Sequence, residues 1–395
     1  MNFLYDLTAT QSTPSSKFHG GGTYAEIVFH KLLEKYDASK YLIYGAFDSK
    51  RFLNNDIIED AKLHNVVLFD INAEPIAQLF KRLNVTKFYS ALLDETIPWP
   101  LDGISVITTV HGLRSLEMPH EKIIYLYESH IKERVKSWLK LTLCSNHYFN
   151  KVKKGYARFF TGKMSIITVS EHSKASILSF FPDVDPDSIK VFSSPTFDQL
   201  ESYGTKTTTT ASMLPHDILS GKYFLMTSGA VWIKNNMRSV FALDELFTEH
   251  HDLFKDYKAV ITGVTDKRIF ERHIKNQDRF VFFDYIDRGT LAAIEKNAFA
   301  FIYPTLNEGF GYPPIESMKY GVPVITSGIS AVPEVCGDAV LYFNPLSVSE
   351  IKNRIIQLMN KNIYDTLKEK SITQYKLISS MQSKDLNDMI DYLLA

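Results

Sequence analysis

Twelve short apolar runs, separated by stretches of helical period, constrain this chain more than any other feature. The first six are Asn2–Tyr5, Tyr41–Tyr44, Val66–Phe69, Lys87–Ser90, Ile104–Val110 and Ile166–Val169. The second six are Tyr223–Thr227, Lys258–Thr262, Arg279–Phe283, Ala300–Tyr303, Val322–Thr326 and Val340–Phe343. A short continuous apolar run bounded by turn residues reads as a strand buried on both faces. Helical segments such as Tyr24–Lys35, Asn236–Leu246 and Glu350–Asn360 fall between them. Parallel neighbours need a crossover, usually a helix, so this alternation predicts an α/β protein with parallel sheets. It runs twice, which predicts two domains, and 395 residues suffice for both.

Between the two sets lies Tyr203–Met213, polar, rich in Thr and without apolar period, which reads as a linker. The expected organisation is a first domain over 1–202, a linker over 203–213, a second domain over 214–376 and a terminal helix over 377–395. A ligand site is expected in the cleft between the two domains.

Composition removes several function classes. A net charge of −1 points to no nucleic-acid partner. Cys144 and Cys336, far apart and without metal spacing, suit a reducing compartment, with Cys336 a packed small residue. Met1–Asp6 shows no basic leader, and no apolar run approaches the roughly 20 residues of a membrane span. The expected localisation is cytoplasmic, with any membrane contact peripheral. Residues 121–163 carry eight Lys and two Arg against three Glu, interleaved with Tyr125, Trp138, Phe149, Tyr156 and Phe159. They read either as a solvated helical face or as a surface for anionic lipid or a lipid-linked acceptor.

The run from Asn307 to Gly321 carries the chemistry. It sets Glu308 and Glu316 eight positions apart, with Gly309, Phe310, Gly311 and the pair Pro313–Pro314 between them. Pro313 or Pro314 suits the first position of a helix, which would place Glu316 in its first turn. A strand, a loop and a helix start present amides and a positive dipole end to an anion. The two carboxylates can accept hydrogen bonds from hydroxyls on either side of it. A phosphate flanked by two diols describes a nucleotide-sugar. The plainer reading makes Glu316 a helix-start charge and the glycines ordinary turns.

This run resembles the Glu-x7-Glu signature of retaining glycosyltransferases of family 4 (glycosyl transferases group 1). Gly321–Ser327 and Val332–Pro345 continue the resemblance. It implies a GT-B fold: two Rossmann-like α/β/α domains whose parallel sheets face each other across a cleft. The first domain would be the acceptor side, the second would bind the nucleotide-sugar, and the last helix would cross back to the first.

Other segments fit the same resemblance. His19–Leu33 holds glycines at a helix start, where Gly21 and Gly22 would offer amides to a donor diphosphate; a plain turn is the alternative. His111 follows the strand Ile104–Val110, at the edge where parallel sheets take ligands, and resembles the family histidine that contacts the donor sugar. Tyr223–Arg238 resembles the family's Gly-Arg…Lys-Asn stretch. There Lys234 would neutralise a leaving pyrophosphate. Ala230 stands where the family has Arg, and Arg238 is either a substitute or a surface charge. Tyr285 and Ile286 fall in the loop that holds the nucleobase. Ser170 and Ser173 read as helix caps. Asp183 and Asp185 copy the Asp-x-Asp of metal-dependent transferases but sit in a polar turn.

The expected function is a metal-independent retaining glycosyltransferase, without a cofactor, in polysaccharide or glycoconjugate assembly. Its partners would be a nucleotide-sugar donor and a glycan or lipid-linked acceptor. Glu308, His111 and Lys234 would be catalytic. Gly21, Gly22, Lys234, Arg238, Tyr285, Ile286, Gly309, Phe310, Gly311 and Glu316 would bind the donor. The alternatives are a non-catalytic nucleotide-sugar binder and a GT-B phosphorylase.

Overall fold

All twelve predicted apolar runs form strands, and every strand pairing among the described residues is parallel. The computed structural model describes residues 1–11, 20–93, 103–128, 130–160, 164–196 and 221–395. The stretch 203–213, read as a linker, lies outside the described residues. The chain divides into two compact units. Unit 1 comprises Met1–Leu113, Lys151–Lys206 and Ser379–Ala395, and unit 2 comprises Arg114–Asn150 and Thr207–Ile378.

In unit 1 the strands are β1 (Asn2–Asp6), β2 (Leu42–Phe47), β3 (Val67–Asp70), β4 (Lys87–Ser90), β5 (Ser105–Val110), β6 (Met164–Thr168) and β7 (Ile189–Val191). Their order is β3-β2-β1-β4-β5-β6-β7. β7 has no counterpart among the predicted strands. It is three residues long at the sheet edge, too short to leave an apolar run. Leu4, Ala46, Phe88 and Val106 pack as one core cluster of this unit. Ser379–Ala395, the end of the helix Lys361–Leu394, also belongs here. Asp385 accepts from the Ser193 amide at 2.8 Å, and Lys87 donates to the Leu393 carbonyl at 3.0 Å.

In unit 2 the strands are β8 (Tyr223–Met226), β9 (Lys258–Ile261), β10 (Phe280–Phe282), β11 (Ala300–Tyr303), β12 (Val324–Ser327) and β13 (Val340–Phe343). Their order, β10-β9-β8-β11-β12-β13, is the doubly wound order 3-2-1-4-5-6. Unit 1 has the same order with β7 added. Chain direction across each sheet therefore reverses once, between β1 and β4 in unit 1 and between β8 and β11 in unit 2. Phe224, Met226, Leu243, Phe247, Ile261 and Ile302 centre the second core.

One boundary differs from the sequence reading, which assigned all of 1–202 to the first domain. Residues 114–150 group with unit 2. The reason is packing: Ile123 is buried in the second core, with Leu126 and Tyr127 against it. The Tyr127 hydroxyl also accepts from the Met237 amide at 3.0 Å. Nothing in the local period of 114–150 signals that docking. Among the described residues, no helix is long and apolar enough to cross a membrane.

Candidate functional site

Doubly wound sheets take ligands at the carboxyl ends of the strands flanking the reversal. In unit 2 these are the segments after β8 and β11. The first is shaped by contacts with the neighbouring connection. The Gly229 and Ala230 amides donate to the Thr262 and Gly263 carbonyls, at 2.8 and 2.9 Å. A Cβ on Gly229 would come within 2.4 Å of the Val264 side chain and 2.7 Å of Ile261, so a larger residue would force both to shift. The chain then makes a 3-10 turn over Trp232–Lys234 and enters the left-handed region at Asn235, φ 59°. Asn235 is fully buried, and its side-chain Nδ2 donates to the carbonyls of Pro304 and Pro345, both at 2.8 Å. That pair of bonds ties the Lys234 turn to the segment after β11.

Glu308 lies on that second segment and is 6% exposed. Its Oε1 accepts from Lys234 Nζ at 2.6 Å and from Thr305 Oγ1 at 2.8 Å. Arg114 Nη2 stands 3.6 Å from Oε2. The Glu308 amide donates to Ser330 Oγ at 2.9 Å. Lys234 also donates to the Tyr303 hydroxyl at 2.8 Å. Burial by itself would lift the Glu308 carboxyl. The Lys234 and Arg114 charges outweigh it and hold the group below the usual carboxylate range. Burial, then the Glu308 charge, push the Tyr303 phenol well above its ordinary value. The sequence-predicted pair Glu308 and Lys234 is thus in direct contact, and Thr305, Tyr303 and Arg114 complete the cluster. Sequence reasoning passed over those three. Tyr303 read as the end of a strand, Thr305 received no reading, and only tertiary packing brings Arg114 to Glu308.

Gly309 is half-buried, while Phe310 and Gly311 are buried. Gly311 has φ +110° and caps the helix Tyr312–Met318, so the prolines occupy its second and third positions. Glu316 consequently falls beyond the first turn, not within it as expected. Gly311 starts the helix earlier than the proline pair suggested. Behind Glu316, the helix Arg288–Asn297 carries Glu295, 5% exposed, whose Oε1 has no hydrogen-bond partner. Burial, then the Glu316 charge, push the Glu295 carboxyl well above its ordinary value.

Arg238 is held by Glu121 at 2.9 Å and by the Asn235 side chain at 2.6 Å. Asn307 donates to Glu117 in the same way. Tyr285 is 67% exposed and Ile286 half-buried, just ahead of the helix that Asp287 caps through the Thr290 amide.

In unit 1, Gly20–Lys35 is a single helix, so Gly21 and Gly22 form its first turn instead of a preceding loop. First-turn amides are directed out of a helix end. His111 follows β5; its Nε2 donates to the Ala91 carbonyl at 3.0 Å, and its ring meets Tyr24 edge-on at 4.7 Å. Ser170 caps the helix Glu171–Phe180 through the Ser173 amide at 3.1 Å. Asp185 caps the turn Pro186–Ser188. Among the described residues, no three His, Cys, Asp or Glu side chains gather as a ligand set.

Two units of this topology define a GT-B fold. Residues 220–376, within the span of unit 2, match the model of the family Glycosyl transferases group 1. The chain is 28% identical to the O-antigen chain mannosyltransferase RfbU of Salmonella typhimurium, over 49% of this chain and 52% of that protein. It is 40% identical to O-antigen chain mannosyltransferase B of Escherichia coli, over 19% of this chain and 20% of that protein. The chain thus spans about half the length of the first relative and a fifth of the second. The structure of Anabaena HepE in complex with UDP and glucose superposes with a TM-score of 0.64, covering 100% of this chain and 99% of that one. At 12% identity that likeness concerns the fold.

Proposed function

We propose that this protein is a retaining glycosyltransferase that moves a hexose from a nucleoside-diphosphate sugar to an acceptor hydroxyl in glycan assembly. The observation that carries the reading is the ion pair between Lys234 and Glu308, 2.6 Å long, formed by the two segments that flank the reversal of the unit 2 sheet. The names of the relatives point to mannose as the sugar and to an O-antigen type of glycan as the product.

In this reading the acceptor oxygen bonds to the anomeric carbon while the bond from that carbon to the phosphate oxygen breaks. The departing diphosphate takes the acceptor proton. Lys234 offsets the charge that grows on the leaving phosphate. Glu308, kept ionised by its two cations, accepts from sugar hydroxyls, helped by the amides at Gly309, Phe310 and Gly311. Glu316 takes the ribose diol, and Tyr285 and Ile286 border the base. Arg238, bound to Glu121 and Asn235, orders the Lys234 turn in place of holding phosphate. In unit 1, Gly21, Gly22 and His111 lie at the carboxyl edge of that unit's own sheet. The proposal includes no metal and no cofactor.

The acceptor is proposed to be a glycan on a lipid carrier, with the protein resting on the membrane surface. The helix Ile131–Trp138 buries none of its residues and exposes Ile131, Val135 and Trp138 at helical spacing, beside Lys132, Arg134 and Lys136. An apolar stripe rimmed by cations suits an anionic bilayer surface.

The test is release of nucleoside diphosphate from a panel of nucleotide-sugars that includes GDP-mannose and UDP-glucose, with and without chelator. Release from one donor, unchanged by chelator, supports the reading and names the donor. Loss of release with chelator removes metal independence. No release and no thermal stabilisation by any donor removes the nucleotide-sugar reading itself.

A further inference from the structure

Three charges meet at Glu308, and their sum decides where an anion can bind. The carboxylate is shared by two cations. Lys234 is the nearer one, with 14% of its side chain exposed. Two of its three N–H groups are committed, to Glu308 and to the Tyr303 hydroxyl. Its charge is already largely neutralised by direct contact. Arg114 is the second. Its side chain is 47% exposed, and it stands 3.6 Å from Glu308, longer than a hydrogen bond. The cluster therefore keeps one net positive charge, and that charge rests on the exposed guanidinium.

We propose that Arg114 is a phosphate-binding residue of this site, taking the diphosphate of the nucleotide through its guanidinium fork while Lys234 adds its remaining N–H. This rests on reading the site as one for a nucleoside-diphosphate sugar. An arginine fork matches two phosphate oxygens at once, which a lysine cannot do. Ala230, on the segment after β8, offers the phosphate no cation, which leaves that segment Lys234, already paired with Glu308, and gives a second cation from another part of the chain a role. The segment that supplies it is anchored on unit 2 independently of Arg114. Glu117 accepts from Asn307, Glu121 from Arg238, and the Tyr127 hydroxyl from the Met237 amide. These contacts hold Arg114 beside Glu308, and among the described residues no hydrogen bond engages the guanidinium itself.

Calorimetry on the full chain tests this with UDP, GDP and ADP and their nucleosides, comparing wild type with Arg114→Gln and Arg114→Lys. Charge-assisted hydrogen bonds of this kind set an expected weakening of about 10- to 100-fold for the preferred diphosphate in Arg114→Gln. Nucleoside affinity stays unchanged, and Arg114→Lys restores part of the loss. Weakening with added salt is shallower in Arg114→Gln than in wild type. Unchanged diphosphate affinity in Arg114→Gln overturns this inference and leaves the donor-site reading standing. Equal loss for nucleoside and diphosphate also overturns it, because Arg114 then only supports the fold around Glu308. Wild type that binds none of the three diphosphates overturns both.

Discussion

Glu308 shows how one residue can be a stability element and, on the proposed reading, also a ligand-binding one. Its carboxylate is buried yet ionised, because Lys234 and Arg114 offset the cost of leaving water. Glu308→Gln keeps the shape and removes the charge, so turnover should fall by about 100-fold or more in a donor-hydrolysis or transfer assay. The pairing also predicts a pH dependence. A folded-state carboxyl below its unfolded value stabilises the protein fully above about pH 4.3. That contribution is lost as pH falls through the lower folded-state value. Thermal melts of wild type and Glu308→Gln should therefore converge in acid and separate towards neutrality. Glu295 works in the opposite sense. Its folded-state carboxyl is raised, so the folded protein holds a proton that the unfolded chain has released. Its buried Oε1 then costs stability increasingly as pH rises above about 4.3. Glu295→Gln should raise the melting temperature at pH 8 more than at pH 4. The sequence spacing made Glu308 and Glu316 legible as a pair. Glu295 was not legible, because a Glu in the last turn of a polar helix looks solvated until the packing around it is known.

Among the elements, the start of the helix Tyr312–Met318 matters most to the site. Gly311 holds φ +110°, a conformation that side chains rarely adopt, and a Cβ there would touch Val335 at 3.4 Å. Gly311→Ala should cost about 1–3 kcal/mol in urea unfolding and shift the amides beside Glu308. A larger loss of activity than of stability is the expected pattern. The helix Ile131–Trp138 makes a separate prediction. Replacing Val135 and Trp138 by Ser should reduce co-sedimentation with anionic vesicles, leave neutral vesicles unaffected, and change the melting temperature little, since neither side chain is buried. Undiminished co-sedimentation would remove the membrane proposal. Strand and helix positions were readable because short apolar runs and a period of 3.6 are local properties. The helix start at Gly311 was not, since the prolines alone allow several registers.

For the whole molecule, the chain end is part of the first fold. Leu386, Met389, Ile390 and Leu393 are all within 2% of complete burial, and Lys87 donates to the Leu393 carbonyl. Burying such side chains is worth about 1.5–3 kcal/mol each. Removing residues 379–395 should therefore abolish cooperative unfolding of unit 1, seen as loss of its transition in a urea titration. A retained transition would show that this segment is dispensable. The amino-acid sequence by itself determined the two-fold α/β alternation, the parallel sheets, and the spacing of Glu308, Glu316 and Lys234. Each of these is written in periodicity or in short motifs along the chain. Only the tertiary structure decided that residues 114–150 join the second core, that Arg114 stands at Glu308, and that Arg238 is occupied by Glu121. Those outcomes depend on side chains more than 100 positions apart meeting in a packed interior, and no local pattern encodes such a meeting.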